Sequence, residues 1–166
     1  MENKIKRQGF TLFEILLVVA ILLALTGIAS VKKSNEQILL ENAANEITSA
    51  IRYARNSYDS GNNDAYFTIV PAGDRYRVRV IENNEASIDI LLDDSIRLSR
   101  KSRNDDDDDR DLIGFLPLAT RPLEIRFYPN ASTGMRILLE SASSRSKYVI
   151  SIVPTSSRVH LYKIKE

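Results

Sequence analysis

The hydrophobic rhythm of the chain changes twice. From Phe10 to Ser30 nearly every position is apolar, and the only ionisable side chain is Glu14. At about 1.5 Å per residue, a run of about 21 residues makes a helix of roughly 31 Å, the thickness of a bilayer's hydrocarbon core, so residues 10–30 predict a membrane-spanning helix. Polar residues then set in, yet no helix breaker appears before Gly61, and Leu40, Ala43, Ile47, Ile51, Ala54 and Tyr58 keep a helical period. Glu41, Asn45, Arg52 and Asn56 fall on the opposite face, so 31–60 predicts an amphipathic continuation of the same helix, ended by Gly61-Asn62-Asn63. The product is one helix of up to about 50 residues, roughly 75 Å long, abnormal for a lone globular domain and natural for a filament subunit.

Beyond Asn63 the period falls to two. Ala65 to Val70 and Arg75 to Ile81 predict a hairpin around Pro71-Ala-Gly73-Asp74, with Tyr76, Val78 and Val80 inward and Arg75, Arg77 and Arg79 outward. Further strands are predicted at Ala86–Leu92, Ser95–Ser99, Leu123–Tyr128, Met135–Glu140, Lys147–Val153 and Arg158–Ile164, separated by turns such as Pro129–Gly134 and Pro154–Ser157. The fold class is therefore α+β: a long N-terminal helix packed on an antiparallel sheet of about six to eight strands within an exported domain, 64–166. Residues 100–120 break the pattern and predict an acidic insertion loop around Asp105 to Asp109.

Length and composition narrow this further. The chain has 166 residues, room for one membrane helix and one domain with a single core. It contains no cysteine, which excludes disulfides, thiol nucleophiles and zinc–thiolate clusters. The formal charge of +1 conceals a polarity: residues 82–111 hold eleven acids against five bases, a net of −6, and residues 121–166 hold eight bases against three acids, a net of +5. Such polarity favours directional contacts or an anionic partner for the C-terminal part.

Lys4, Lys6 and Arg7 precede the apolar run and place the N-terminus in the cytoplasm, with everything after Ser30 across the membrane. Glu14 is then an acid within an apolar span, and an acid there calls for a partner. If the chain is cut after Gly9, the new amine of Phe10 lies one helical turn before Glu14, in the same chain or a neighbour, and neutralises it. Two plainer readings stand beside this. One is a secretory signal peptide cleaved after Gly27-Ile28-Ala29, which leaves the acid unexplained; the other is a simple membrane anchor on an exported domain that never polymerises.

The run Gly9-Phe10-Thr11-Leu12-Phe13-Glu14, behind a short basic leader and ahead of about twenty apolar residues, resembles the processing site of type IV pilins and type II secretion pseudopilins. The resemblance implies a leader peptide, 1–9, removed by a prepilin peptidase between Gly9 and Phe10. It also implies N-methylation of Phe10 and a contact between Glu14 and the amine of an adjacent subunit during assembly. Phe13 stands where leucine or isoleucine is more usual, and Val31 where many type IV pilins have a helix-kinking proline. Further on, the cadence of Ile125 to Gly134, Tyr148 to Ile152 and Arg158 to Leu161 is similar to the minor pseudopilin family of type II secretion protein H and FimT, with Asn130 and Ser157 in place of expected glycines. These likenesses imply a pilin-like fold and a single-pass inner-membrane protein with a periplasmic C-terminal domain. The implied work is that of a minor pseudopilin in a type II secretion filament, alongside other pilin subunits and an inner-membrane assembly platform.

Chemistry elsewhere is sparse. There is no HExxH, GxSxG or glycine-rich phosphate loop, and the single histidine, His160, lies in a predicted strand, so an enzyme is not expected. Asp105, Asp107 and Asp109 offer oxygen ligands to calcium, a cation bound by some major pseudopilins; the alternation and central glycine of an EF-hand loop are missing, and a solvated loop tip is the simpler reading. No other cofactor is implied. Arg158, His160, Lys163 and Lys165 mark a basic C-terminal segment, and DNA-uptake relatives of the FimT kind bind DNA through such a segment. The alternative function is therefore a minor pilin that binds DNA for uptake, beside the reading of ordinary solvated charges.

Overall fold

The computed structural model describes residues 12–103, 112–118, 121–142, 144 and 146–165, with side chains described outside 24–34 and 165. The chain falls into two compact units, Met1–Asn35 and Glu36–Glu166. Helix α1 runs from Leu12 to Asp59. It stops as its sequence predicts. Gly61 adopts φ +103°, its N–H donates to the Tyr58 carbonyl at 3.0 Å, and the Asn62 N–H donates to the Ser57 carbonyl at 3.1 Å. This pair of bonds satisfies the last helical carbonyls and needs a left-handed residue, which glycine provides at least cost.

Within the second unit, ten strands are described: β1 Tyr66–Ala72, β2 Arg75–Glu82, β3 Glu85–Leu91, β4 Ile96–Ser102, β5 Leu116–Pro117, β6 Leu123–Tyr128, β7 Ala131–Ser132, β8 Met135–Ser141, β9 Ser146–Ile152 and β10 Val159–Lys165. They form two five-stranded sheets, ordered β3-β2-β1-β6-β7 and β10-β9-β8-β4-β5, rather than one of six to eight strands. Asp93 helps to make the division. Its carboxylate accepts from the Ser95 N–H at 2.9 Å and the Ser95 hydroxyl at 2.6 Å, a side-chain-stabilised turn that lifts the chain off the first sheet after β3 and starts β4 in the second. The two unforeseen strands, β5 and β7, are two residues long, too short for any periodicity to reveal. β5 also lies inside the stretch read as a loop, as does the end of β4, which runs on to Ser102.

The turns follow local chemistry. Asn83 and Asn84 both have positive φ, 51° and 65°, as a two-residue hairpin of the twist-matched kind requires between β2 and β3. Pro71 lies in β1 opposite Tyr76, but beyond the Tyr66–Ile69 stretch that pairs with β6, so its missing N–H deprives no ladder. Asn130 and Ser157 adopt φ 59° and 50°, the left-handed conformation that glycine adopts freely.

One core joins the C-terminal half of α1 to both sheets. Leu40, Ala43, Ala44, Ile47, Ile51 and Ala54 are at most 4% exposed and meet Phe67, Ile69, Val78, Val80, Ile125 and Phe127 of the first sheet and Leu98, Ile137, Leu139, Ile150 and Ile152 of the second. Tyr58, the last residue of the predicted stripe, is half-buried with its ring 6.5 Å from that of Phe127. Glu41, Asn45, Arg52 and Asn56 are exposed, as the helical period requires. In the second sheet β8 is buried on both faces: Arg136 is fully buried, with its guanidinium 5.3 Å from the Phe115 ring centroid on the side away from α1.

Candidate functional site

From Leu12 to Leu23 every side chain of α1 is exposed, including Leu12 at 77%, Phe13 at 74% and Leu23 at 67%. An amphipathic helix shows one apolar stripe; this segment is apolar all round, the pattern of a helix made for lipid or for neighbouring helices. Glu14 lies in its first turn and is exposed. A carboxylate is costly in hydrocarbon, so Glu14 is poorly placed in a lipid-covered span. Gly9 and Phe10 lie outside the described residues. So does part of the predicted span, and among the described residues no helix is long and apolar enough to cross a membrane.

The basic C-terminal residues do not form one surface. Arg158 precedes β10 and is exposed; His160, also exposed, stacks on Tyr162 with ring centroids 6.0 Å apart. Lys163 belongs to the other face of β10, with Val159 and Leu161, and turns toward α1: its ammonium is 3.6 Å from the Glu41 carboxylate and 5.4 Å from the Tyr148 ring centroid. The side chain of Lys165 lies outside the described residues. Other basic residues of the segment are engaged: Arg126 bonds to Glu124 and covers the Tyr66 ring at 4.9 Å, and Lys147 lies 3.1 Å from Glu140. Asp105, Asp107 and Asp109 lie outside the described residues, and among those described no group of three or more acids or histidines is placed to hold a metal ion.

Sequence reasoning missed one polar cluster. The Tyr148 hydroxyl donates to Glu41 at 2.8 Å, and Lys163 faces the same carboxylate. The Tyr148 hydrogen bond, then the Lys163 charge, holds the Glu41 carboxyl below its ordinary 4.5. Burial pushes the Tyr148 phenol up, and the bond to Tyr148 first, with Glu41 behind it, pushes Lys163 up. No spacing in the sequence reveals a contact across 107 residues. Together with Arg52 donating to the Val159 carbonyl at 3.2 Å and Ser141 donating to Glu36 at 3.1 Å, the cluster fastens α1 to the second sheet.

No curated protein and no solved structure matches the chain. Residues 4–30 match the family model described as the prokaryotic N-terminal methylation motif. This match includes Gly9, Phe10 and Glu14 and supports a type IV pilin-like protein: a substrate of prepilin peptidase, methylated at its new N-terminus, membrane-anchored there, and assembling with other pilin subunits.

Proposed function

We propose that the protein is a minor pseudopilin of the type II secretion protein H and FimT kind. In this reading a prepilin peptidase removes residues 1–9, Phe10 is methylated, and residues 10–30 hold the subunit in the inner membrane. The amphipathic part of α1, 31–60, carries the periplasmic domain, 64–166. On leaving the membrane through the assembly platform, the subunit joins a short filament that drives protein secretion. Its work is assembly rather than catalysis.

The observation that carries this reading is the methylation motif running without interruption into a helix whose side chains from Leu12 to Leu23 are all exposed. The left-handed turns at Asn130 and Ser157, where the family has glycine, add support from the far end of the chain. In assembly, Glu14 supplies the direction. A carboxylate in an apolar helix is relieved when a neighbour's N-terminal amine comes beside it, and that match specifies which subunit docks and at what axial position.

Two measurements test the reading. The mass of the mature N-terminus is expected to be that of a chain beginning at methylated Phe10; a chain beginning at Ser30 would overturn it. Glu14→Ala is expected to be processed and inserted normally but lost from filaments, and undiminished incorporation would favour an anchored domain that does not polymerise. The DNA-uptake reading has less to stand on, because Lys163 is turned to Glu41 and away from the face of His160. Salt-sensitive retention of an oligonucleotide by the wild type, lost in Arg158→Ala, would revive it.

A further inference from the structure

Within Glu36–Glu166 each sheet has a short end and a long one. β5 and β7 are two residues long, whereas β3 and β10, at the opposite ends, are seven residues each and, among the described residues, have a strand on one side only. The core is incompletely covered at those same two margins: Ile88 and Ile90 of β3 and Val159 and Leu161 of β10 pack against it yet stay partly exposed. Beside β3 a mostly apolar concavity lies between Ile88 and Ile90 and Ser49, Ala50 and Tyr53 of α1. The Leu92 N–H donates to the Tyr76 carbonyl at 2.9 Å, so by alternation the Leu91 N–H points away from β2, toward the open side. At the other margin Arg52 donates to the Val159 carbonyl at 3.2 Å and caps the start of β10. A long strand margin of this kind is a template for another strand.

Charge selects which margins meet. β3 holds Glu85 and Asp89 and no base; β10 holds His160, Lys163 and Lys165 and no acid. Two β3 strands or two β10 strands side by side oppose like charges, whereas β3 beside β10 opposes unlike ones. Asp89 already faces Arg77 and Arg79, and Lys163 faces Glu41, so charge here excludes like pairing more than it binds. Both strands also run against α1. Tyr53 bonds to Glu82, level with the start of β3, and Leu39 lies by Leu91 at its end; Arg52 meets Val159 at the start of β10, and Glu41 meets Lys163 further on. We propose that β3 of one copy pairs with β10 of a second copy, joining a sheet of each and covering both open margins of the core. The direction rests on the filament reading: copies whose α1 helices are parallel bring the two strands together as a parallel pair. The contact joins unlike surfaces, so each copy keeps one margin for the next, as an open filament requires.

The absence of native cysteine makes a direct test possible in the full-length protein assembled in membranes. Ala86→Cys, opposite Ile81 on the side of β3 away from α1, is combined in turn with a single cysteine at each position from 158 to 164, under mild oxidation. Positions 158, 160, 162 and 164 share that outer side and are expected to crosslink several-fold more than 159, 161 and 163, as a ladder of multiples of the chain mass. Leu91→Pro, which removes an N–H from the open side and none from the β2 pairing, is expected to lower the ladder several-fold without moving the melting temperature. Equal yields at odd and even positions, or no ladder in filaments that still form, overturn the strand pairing alone. Dimers in the same yield from Ala86→Cys by itself show β3 paired with β3 and overturn β10 as its partner. Adducts only of other masses overturn the second copy as occupant. A chain that is correctly processed yet never assembles overturns the filament reading itself and this inference with it.

Discussion

The two halves of α1 share a backbone and differ in everything else. Between Leu12 and Leu23 even the least exposed of the large apolar side chains, Val19, is 46% exposed, whereas Leu40, Ala44, Ile47, Ile51 and Ala54 have no exposed surface at all. Helix propensity does not separate them; the arrangement of apolar positions does. In the C-terminal half they form one stripe, which a sheet can cover, and the polar remainder stays in water. In the N-terminal half they surround the helix, and a single sheet cannot cover a cylinder. One half is therefore satisfied by folding, the other by lipid or by other subunits, so a substitution in one half should register as stability and in the other as assembly.

The largest effect expected from that contrast is in the folded half. Ile47→Ala leaves a void between α1 and the sheets and should lower domain stability by about 2–5 kcal/mol, measured by thermal or denaturant unfolding. The matched change Ile21→Ala, at a side chain 51% exposed, should leave domain unfolding within about 0.5 kcal/mol of wild type and show itself only in filament yield. A domain destabilised by both changes would dissolve the distinction.

Next in size is a test of whether the domain stands on its own packing. A Cβ at Gly134 would lie 2.3 Å from the Pro154 Cγ and 2.6 Å from the Arg103 carbonyl oxygen, so Gly134→Ala must move backbone. It should cost about 1–3 kcal/mol of domain stability, with processing at Gly9 unchanged. Normal unfolding of this variant would show the domain to be looser than its contacts indicate. A smaller effect of opposite sign is expected at Ser157. That residue holds φ 50°, and its hydroxyl is buried without a hydrogen-bond partner among the described residues. Ser157→Gly should stabilise the domain by about 1 kcal/mol, through relief of the left-handed backbone and loss of an unsatisfied hydroxyl. Asn130→Gly should gain less, because asparagine tolerates this conformation.

Much of this contrast was legible in the sequence, because periodicity reports directly on burial. The stripe from Leu40 to Tyr58, the end of α1 at Gly61 and eight of the strands could be placed from the 3.6 and 2.0 rhythms and from turn residues. The division into two sheets could not, since it depends on which strands pair, and β1 pairs with β6 across more than fifty residues. The faces of the basic C-terminal residues were not legible for a related reason. A charge count is blind to the alternation of a strand, which sends His160 and Lys163 to opposite faces and gives Lys163 to Glu41. The methylation motif within residues 4–30 was legible because such a motif is read as a local sequence, independent of fold.

The smallest effect concerns that clamp, which separates the two halves of α1 by their polar contacts. Glu41 sits on the solvent side of the stripe, yet it accepts from Tyr148 at 2.8 Å and faces Lys163 at 3.6 Å. Its carboxyl is held below the ordinary 4.5, so the folded state binds its proton less readily than the unfolded state does. The stability it contributes is therefore fully present above about pH 4.5 and is lost as pH falls through the lowered value. Lys163, raised above its ordinary 10.5, works in the opposite sense: its contribution is complete below that pH and is lost as pH rises through the raised value. Both groups are partly in water, so salt should weaken the clamp and its effect should be modest. Glu41→Gln, which keeps a hydrogen-bond acceptor for Tyr148 and removes the charge, should flatten the acid limb of domain stability while leaving the neutral region nearly unchanged. An acid limb as steep as that of the wild type would assign the pH response to other carboxylates and leave apolar packing as the main hold of the sheets on this half of α1.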